Sequence, residues 1–292
     1  MILAIASGKG GTGKTTLAVN LALLLAETMP VAFLDCDVEE PNAHLFLKPT
    51  IETCEQVALP EPIVDKARCN GCGKCAEICA FNAILAFGDQ VLTFPELCHG
   101  CGGCALLCPE EAITEEPRGI GVLETGWADR IRFIHGRVDI GMPLATPVVK
   151  AVRKRAKDTD GLVIVDAPPG TSCPVVASVK DSDYCLLVTE PTPFGLNDLE
   201  LAVGMARELK VPFGVVINRA GLGDDKVADY CAREGIPILL EVPFDRRYAA
   251  CYARGGQLVR EFPKLQEGLR KLWLRIRMEV GGNGAGAACH QR

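Results

Sequence analysis

The sequence predicts a doubly wound, mostly parallel α/β sheet interrupted by a small α+β insertion. Three observations carry this expectation. Near-continuous Val/Ile/Leu runs alternate with helical patterns along most of the 292 residues, which is how strands covered on both faces of a parallel sheet read. The first of these runs passes directly into a glycine-rich loop and then a helix. After the second run, a dense cysteine block breaks the alternation.

In order, residues 1–58 read β-loop-α-β: a strand over 2–6, a helix over 15–27 and a strand over 31–34 that ends at Asp35 and Asp37. Composition changes at Leu59-Pro60-Glu61-Pro62, and residues 59–118 form the insertion. Inside it, Cys69, Gly71, Cys72, Gly73, Cys75, Ala76, Cys79, Ala83 and Ile84 each recur 29 residues later, which reads as an internal duplication. The α/β pattern resumes over 119–280, with strands expected at 131–134, 162–165, 184–188, 213–217 and 236–240, and helices at 199–209 and 226–233. Residues 281–292 (GGNGAGAACHQR) are expected to be a disordered tail.

Composition narrows the function classes. With 48% hydrophobic and 23% charged residues the chain reads as a soluble globular protein with a full core and room for a small extra domain. A net charge of −6 lacks the basic footprint of nucleic-acid binders, so no nucleic-acid partner is expected. Apolar stretches such as 21–26 fall far short of the ~20 residues needed to span a bilayer. The glycine-rich loop begins at Ser7 and Gly8, so no secretory leader is expected and the location is read as cytoplasmic. Fifteen cysteines in such a chain point to metal rather than disulfides, in a reducing cytoplasm.

Gly8-x4-Gly13-Lys14-Thr15 has the strand-loop-helix context that a phosphate-binding loop requires. Gly8, Gly10, Gly11 and Gly13, with Thr12 and Thr16, give backbone N–H groups a close approach to phosphates at a helix N-terminus. Lys14 would reach the β- and γ-phosphates, and Thr15 would ligate Mg²⁺.

The cysteines fall into Cys69-x2-Cys72-x2-Cys75-x3-Cys79 and Cys98-x2-Cys101-x2-Cys104-x3-Cys108-Pro109. This is the spacing of a bacterial-ferredoxin-like domain with two [4Fe–4S] clusters, in which the fourth cysteine of each run serves the other cluster. Cluster one then takes Cys69, Cys72, Cys75 and Cys108, and cluster two takes Cys98, Cys101, Cys104 and Cys79. Zinc sites usually pair two CxxC halves rather than string four cysteines so tightly. Ala80 follows Cys79 where the pattern has proline, which adds an N–H near one cluster. Of the other cysteines, several lie in apolar runs, as Cys185 does, and read as small buried hydrophobes.

A second lysine, Lys9, gives the loop the form KGGTGKT, and here the chain resembles the deviant phosphate-loop ATPases, the MinD/ParA/Mrp group that includes the nitrogenase iron protein. The resemblance continues through Asp35-Cys36-Asp37, residues 162–170 (LVIVDAPPG), TEPTPFGLNDLE and EVPFD, and covers nearly the whole chain. It implies an ATP/ADP- and Mg²⁺-binding ATPase that forms a homodimer on binding ATP, with Lys9 reaching the partner's nucleotide. It further implies that Asp37 orients the attacking water and Asp35 supports Mg²⁺. Asp166 would hold the Mg²⁺ shell and Gly170 would turn its N–H toward the γ-phosphate. Asn218, Pro243 and Asp245 would contact the adenine.

Cys173 stands where the nitrogenase iron protein places a bridging-cluster ligand, but residues 119–150 lack the second cysteine that such a site needs. The paired C-terminal cysteines of Mrp-type carriers are also missing, with Cys289 alone there. A basic amphipathic helix over 264–278 reads mainly as a packing helix, with membrane contact as its alternative. The main expectation is ATP-gated electron transfer to an unidentified protein redox partner. Its alternatives are iron–sulfur cluster delivery or assembly, and MinD-like positioning or complex assembly with clusters that sense redox state.

Overall fold

The computed structural model describes residues 1–88 and 90–286, without the side chains of Asp158 and of residues 282–286. Its strands are β1 (Ile2–Ser7), β2 (Val31–Asp35), β3 (Thr50–Val64), β4 (Ile84–Phe87), β5 (Gln90–Thr93), β6 (Ile113–Ala128), β7 (Ile131–Val138), β8 (Leu162–Pro169), β9 (Tyr184–Thr189), β10 (Phe213–Ala220) and β11 (Ile238–Pro243). Its helices are α1 (Lys14–Leu25), α2 (His44–Leu47), α3 (Lys74–Ile78), α4 (Gly103–Leu106), α5 (Ala145–Lys154), α6 (Cys173–Val179), α7 (Pro193–Glu208), α8 (Lys226–Arg233), α9 (Arg246–Ala253), α10 (Leu258–Glu261) and α11 (Pro263–Gly286). The chain divides into two compact units. The first comprises 1–54, 123–137 and 149–292, and the second comprises 55–122 and 138–148.

One nine-stranded sheet runs in the order β11-β10-β9-β1-β8-β2-β7-β6-β3, and all of its strands but β3, β6 and the last residue of β7 lie wholly in the first unit. The pairings of β1 with β8 and β9, of β2 with β7 and β8, and of β10 with β9 and β11 are all parallel. The order reverses at β1, so the loop after β1 lies at a topological switch point, where open α/β sheets bind ligands beyond the carboxyl ends of their strands. The central strands are apolar because helices cover both faces. Four of the five residues of β2 and all of Leu3–Ala6 are buried hydrophobes. Phe33 and Phe133, both fully buried, stack at a centroid distance of 6.1 Å across β2 and β7.

The second unit is built on the duplication. Gly73 and Gly102 cap α3 and α4 with φ of 75° each, and Asn82 and Glu111 repeat the left-handed conformation 29 residues apart. A small core of Cys75, Ile84 and Ile113 fixes the halves together. The hairpin β4–β5 pairs antiparallel, with Ile84 opposite Thr93.

The unit boundaries differ from the expected 59 and 118. Pro60, Pro62 and Pro117, which read as punctuation, lie within β3 and β6. Proline lacks a donor N–H and is tolerated on an edge strand, and β3 is the last strand of its sheet. Most of β3 is solvent-exposed, so no apolar run announced it. Helix α11 also runs through Gly286, past the expected start of the tail at 281, and residues 287–292 lie outside the described residues.

Replacing Phe33 with Ala is expected to cost about 3–5 kcal/mol, the usual range for a buried aromatic. Urea unfolding followed by circular dichroism measures it, and a loss under about 1 kcal/mol would contradict the packing described for β2 and β7.

Candidate nucleotide site and two cysteine-lined cavities

The loop between β1 and α1 is shaped by its glycines. Gly13 adopts φ 93°, and a Cβ there would come within 2.3 Å of the Asn218 amide nitrogen. That nitrogen donates to the Thr12 carbonyl at 2.7 Å, tying the end of β10 to the loop. A cavity of about 470 Å³ opens beside it, within the range of small-molecule sites. Gly10, Gly11, Gly13, Lys14, Thr15, Thr16, Asp37, Asn218, Pro243 and Asp245 all line it. Among the predicted residues, Gly8, Lys9, Thr12, Asp35, Asp166 and Gly170 stand behind or beside this wall rather than on it.

Asp35 and Asp166 are register partners at the ends of β2 and β8, and both are fully buried. Their oxygens are used differently. Asp35 accepts the N–H of Asp37 at one oxygen and that of Ala43 at the other, each at 3.1 Å. The Asp166 oxygens make no close hydrogen bond; the Thr15 side chain and the Lys14 ammonium, at 3.8 Å, are the polar groups that face them. Burial, then repulsion from Asp166, pushes the Asp35 carboxyl up to about 8. Burial raises Asp166 as well, against the pull of Lys14. Asp37 is pushed up to about 6, chiefly by burial and with Lys14 opposing. A buried carboxylate facing Thr15, the second residue of α1, fits a hard divalent cation. Asp166 therefore suits the Mg²⁺ role better than Asp35, whose oxygens already tether the 37–43 segment.

The sequence reading missed two residues here. Glu190, just past β9 and 8% exposed, pairs with Lys9 at 2.6 Å through one oxygen and with Arg219 at 2.8 Å through the other. Arg219 also donates to the Gly11 carbonyl at 3.1 Å and holds φ 56°, which is rare for a side chain of its size. A charged residue closing the apolar run YCLLVT was the available signal for Glu190. The Gly170 N–H is occupied by the Ser7 carbonyl at 3.0 Å, and the Asp245 carboxylate caps α9 and binds Arg247.

In the second unit the crossed cysteine sets separate spatially. Cys69, Cys72, Cys75 and Cys108 line one cavity, and Cys79, Cys98, Cys101 and Cys104 line another. Backbone N–H groups point at sulfur in both halves: Ala83 to Cys79 at 3.2 Å, Ala112 to Cys108 at 3.3 Å and Gly100 to Cys98 at 3.4 Å. Such donors aimed at sulfur suit a sulfur-ligated group. Among the described residues, no three His, Cys, Asp or Glu side chains converge on a point that one metal ion would occupy. The thiols line the walls of a space instead.

Cys36, Cys185, Cys231 and Cys251 are buried, and burial pushes the Cys185 thiol up to about 12, as expected for small hydrophobes. Cys173 is exposed at the start of α6, and Cys289 lies outside the described residues. On α11, Leu265, Leu269, Leu272, Trp273 and Ile276 are all buried, and Arg275 donates to the carbonyls of Ile238 and Leu239. The apolar face that membrane contact would need is thus spent on the core. Among the described residues no helix is long and apolar enough to cross a membrane.

Comparison with known proteins agrees with this geometry. The family model described as the CobQ/CobB/MinD/ParA nucleotide binding domain matches residues 3–259. An uncharacterized protein of Methanocaldococcus jannaschii is 31% identical over 89% of this chain and 92% of its own length. An iron–sulfur cluster carrier protein of the same organism is 24% identical over 96% of this chain and 85% of its own. Among solved structures, the septum site-determining protein MinD of Pyrococcus horikoshii with Mg-ADP matches with a TM-score of 0.58 and 20% identity, over 93% of each chain.

Asp166→Asn is expected to raise the urea midpoint of the nucleotide-free protein. The folded-state shift of Asp166 is upward, so ionising it costs stability; the gain should be absent in acid, where the wild-type carboxyl is protonated, and should grow as pH rises. The same variant should lose the Mg²⁺ dependence of nucleotide binding. A gain that shrinks with rising pH would overturn the assignment of a partly compensated buried charge.

Proposed function

Because the chain belongs to the CobQ/CobB/MinD/ParA nucleotide-binding family of ATPases, we propose that it is a Mg²⁺-ATP-dependent dimerising ATPase whose nucleotide state governs a two-cluster redox module. Lys14 holds the β- and γ-phosphates at the start of α1, and Thr15 with Asp166 holds the metal. Asp37, raised toward neutrality and lining the cavity, orients the attacking water and takes up its proton. Lys9 serves the nucleotide of the partner subunit on dimer closure. Cys69, Cys72, Cys75 and Cys108 bind one [4Fe–4S] cluster, and Cys79, Cys98, Cys101 and Cys104 the other. When bound, these groups supply one-electron redox chemistry, and an ATP-gated electron carrier is the reading favoured here.

The single observation carrying this proposal is the separation of the crossed cysteine sets into two cavities, in a chain that also holds the buried Asp166 beside Lys14. Nucleotide control has a route through the segment after β2. Its backbone is tethered to Asp35 at Asp37 and Ala43, and the chain continues from it through α2 into β3. A rearrangement around the γ-phosphate at Asp37 would pull on that segment. The relatives titled iron–sulfur cluster carrier proteins support a second reading, cluster delivery to a client protein.

The deciding experiment is anaerobic purification with iron and sulfide counting, then electron paramagnetic resonance with and without MgATP. A nucleotide-dependent change in signal or in electron delivery is expected, and identical spectra and rates would refute the gating. Transfer of clusters to an apo-ferredoxin would move the assignment to the carrier reading. In the ATPase itself, Lys14→Ala should abolish nucleotide binding. Asp37→Ala should spare binding and slow hydrolysis by roughly 10²–10⁴-fold, and normal turnover in that variant would remove Asp37 from the role.

A further inference from the structure

The 29-residue duplication lets each position around one cysteine cavity be compared with its counterpart around the other, and the two differ in charge. Lys74, between Cys72 and Cys75, lines the first cavity together with Glu110. The counterpart of Lys74 in the second cavity is Gly103, and the one carboxyl side chain among that cavity's lining residues is Glu115, without a lysine or arginine there. The covers differ too. At the first cavity Asn70 donates to Glu110 at 2.9 Å, a polar and exposed pair. The counterparts of these two residues are His99 and Phe81, whose rings stack at 3.6 Å and 8° over the second. Beside the first cavity Arg68 pairs with Glu111 at 3.6 Å, while the counterpart of Arg68 is Leu97.

We propose that the two cluster sites have different reduction potentials, with Lys74 making the Cys69/72/75/108 site the one reduced first and Glu115 keeping the Cys79/98/101/104 site lower. This rests on the two-cluster reading above. Reduction adds a negative charge to a group already ringed by thiolates. A cation in the wall therefore favours the reduced form, whereas a carboxylate with no lysine or arginine in the same wall opposes it. Lys74 and Glu115 are both exposed, so solvent screens their effects and the shifts they cause are small but local. Lys74 and Glu115 act here as tuning residues, since neither is a ligand.

The structure also shows that the charge can be moved. A Cβ on Gly103 would meet its nearest neighbours, Ile78 and the Cys101 sulfur, at 3.7 and 3.8 Å, which is ordinary contact, so the backbone there accepts a Cβ without strain.

The test is potentiometric titration of the anaerobic full-length protein, monitored by electron paramagnetic resonance, for wild type, Lys74→Gln, Glu115→Gln and Gly103→Lys. Wild type should titrate with two separated midpoints. Lys74→Gln should lower the higher midpoint and leave the lower in place, whereas Glu115→Gln and Gly103→Lys should each raise the lower one. A single wild-type midpoint, midpoints that stay put, or a pair that moves together would overturn the proposal. Iron and sulfide are counted on every sample. Too little for two clusters in the wild type would defeat the underlying reading, while full content with unmoved potentials would defeat only this inference.

Discussion

The nucleotide half of this protein depends on a buried carboxylate that is only partly compensated. Asp166 stands fully enclosed on β8, opposite Asp35 on β2, with the Thr15 side chain and, at 3.8 Å, the Lys14 ammonium facing it. An arrangement of this kind costs folding free energy, because desolvation penalises the charge and the neighbouring acid repels it. The sheet tolerates it because the surrounding strands are so thoroughly apolar that they fix the geometry regardless. The reward is a site with a strong demand for positive charge. Loop, lysine and threonine are arranged around that demand, which the proposed metal–nucleotide complex would meet.

Asp35 shows how the same residue type acquires a different task one strand away. Its oxygens are consumed by the backbone amides of Asp37 and Ala43, so it shapes the chain leaving β2 instead of binding a cation. Burial still pushes it up to about 8, so its charge state is sensitive to whatever occupies the neighbouring position. Two acids in register thereby link the Asp166 position to the segment that leaves β2, through electrostatics on one side and hydrogen bonds on the other.

What the sequence revealed was what depends on local spacing. The phosphate loop, the paired cysteine runs and the apolar face of α11 are each specified within a dozen or so residues, and each is where it was expected. The misreadings came from longer-range causes. β3 is exposed and carries Pro60 and Pro62, so neither hydrophobicity nor breakers could distinguish it from a linker. The division of labour between Asp35 and Asp166 was hidden because both are acids ending apolar strands. Glu190 and Arg219 owe their importance to a meeting of β9, β10 and the loop after β1, which no local pattern encodes.

That meeting has a consequence for how a ligand engages the loop. A glycine-rich loop with two lysines at a helix N-terminus is by default a trap for any small anion. In this chain Lys9 is held by Glu190, whose other oxygen takes Arg219, and Arg219 in turn donates to the Gly11 carbonyl of the loop. One carboxylate thus organises two cations, and the trio keeps a net positive charge while its side chains are fixed in place. Any ligand that recruits Lys9 has to draw it away from Glu190, so engaging this lysine carries a cost that the loop's backbone N–H groups do not.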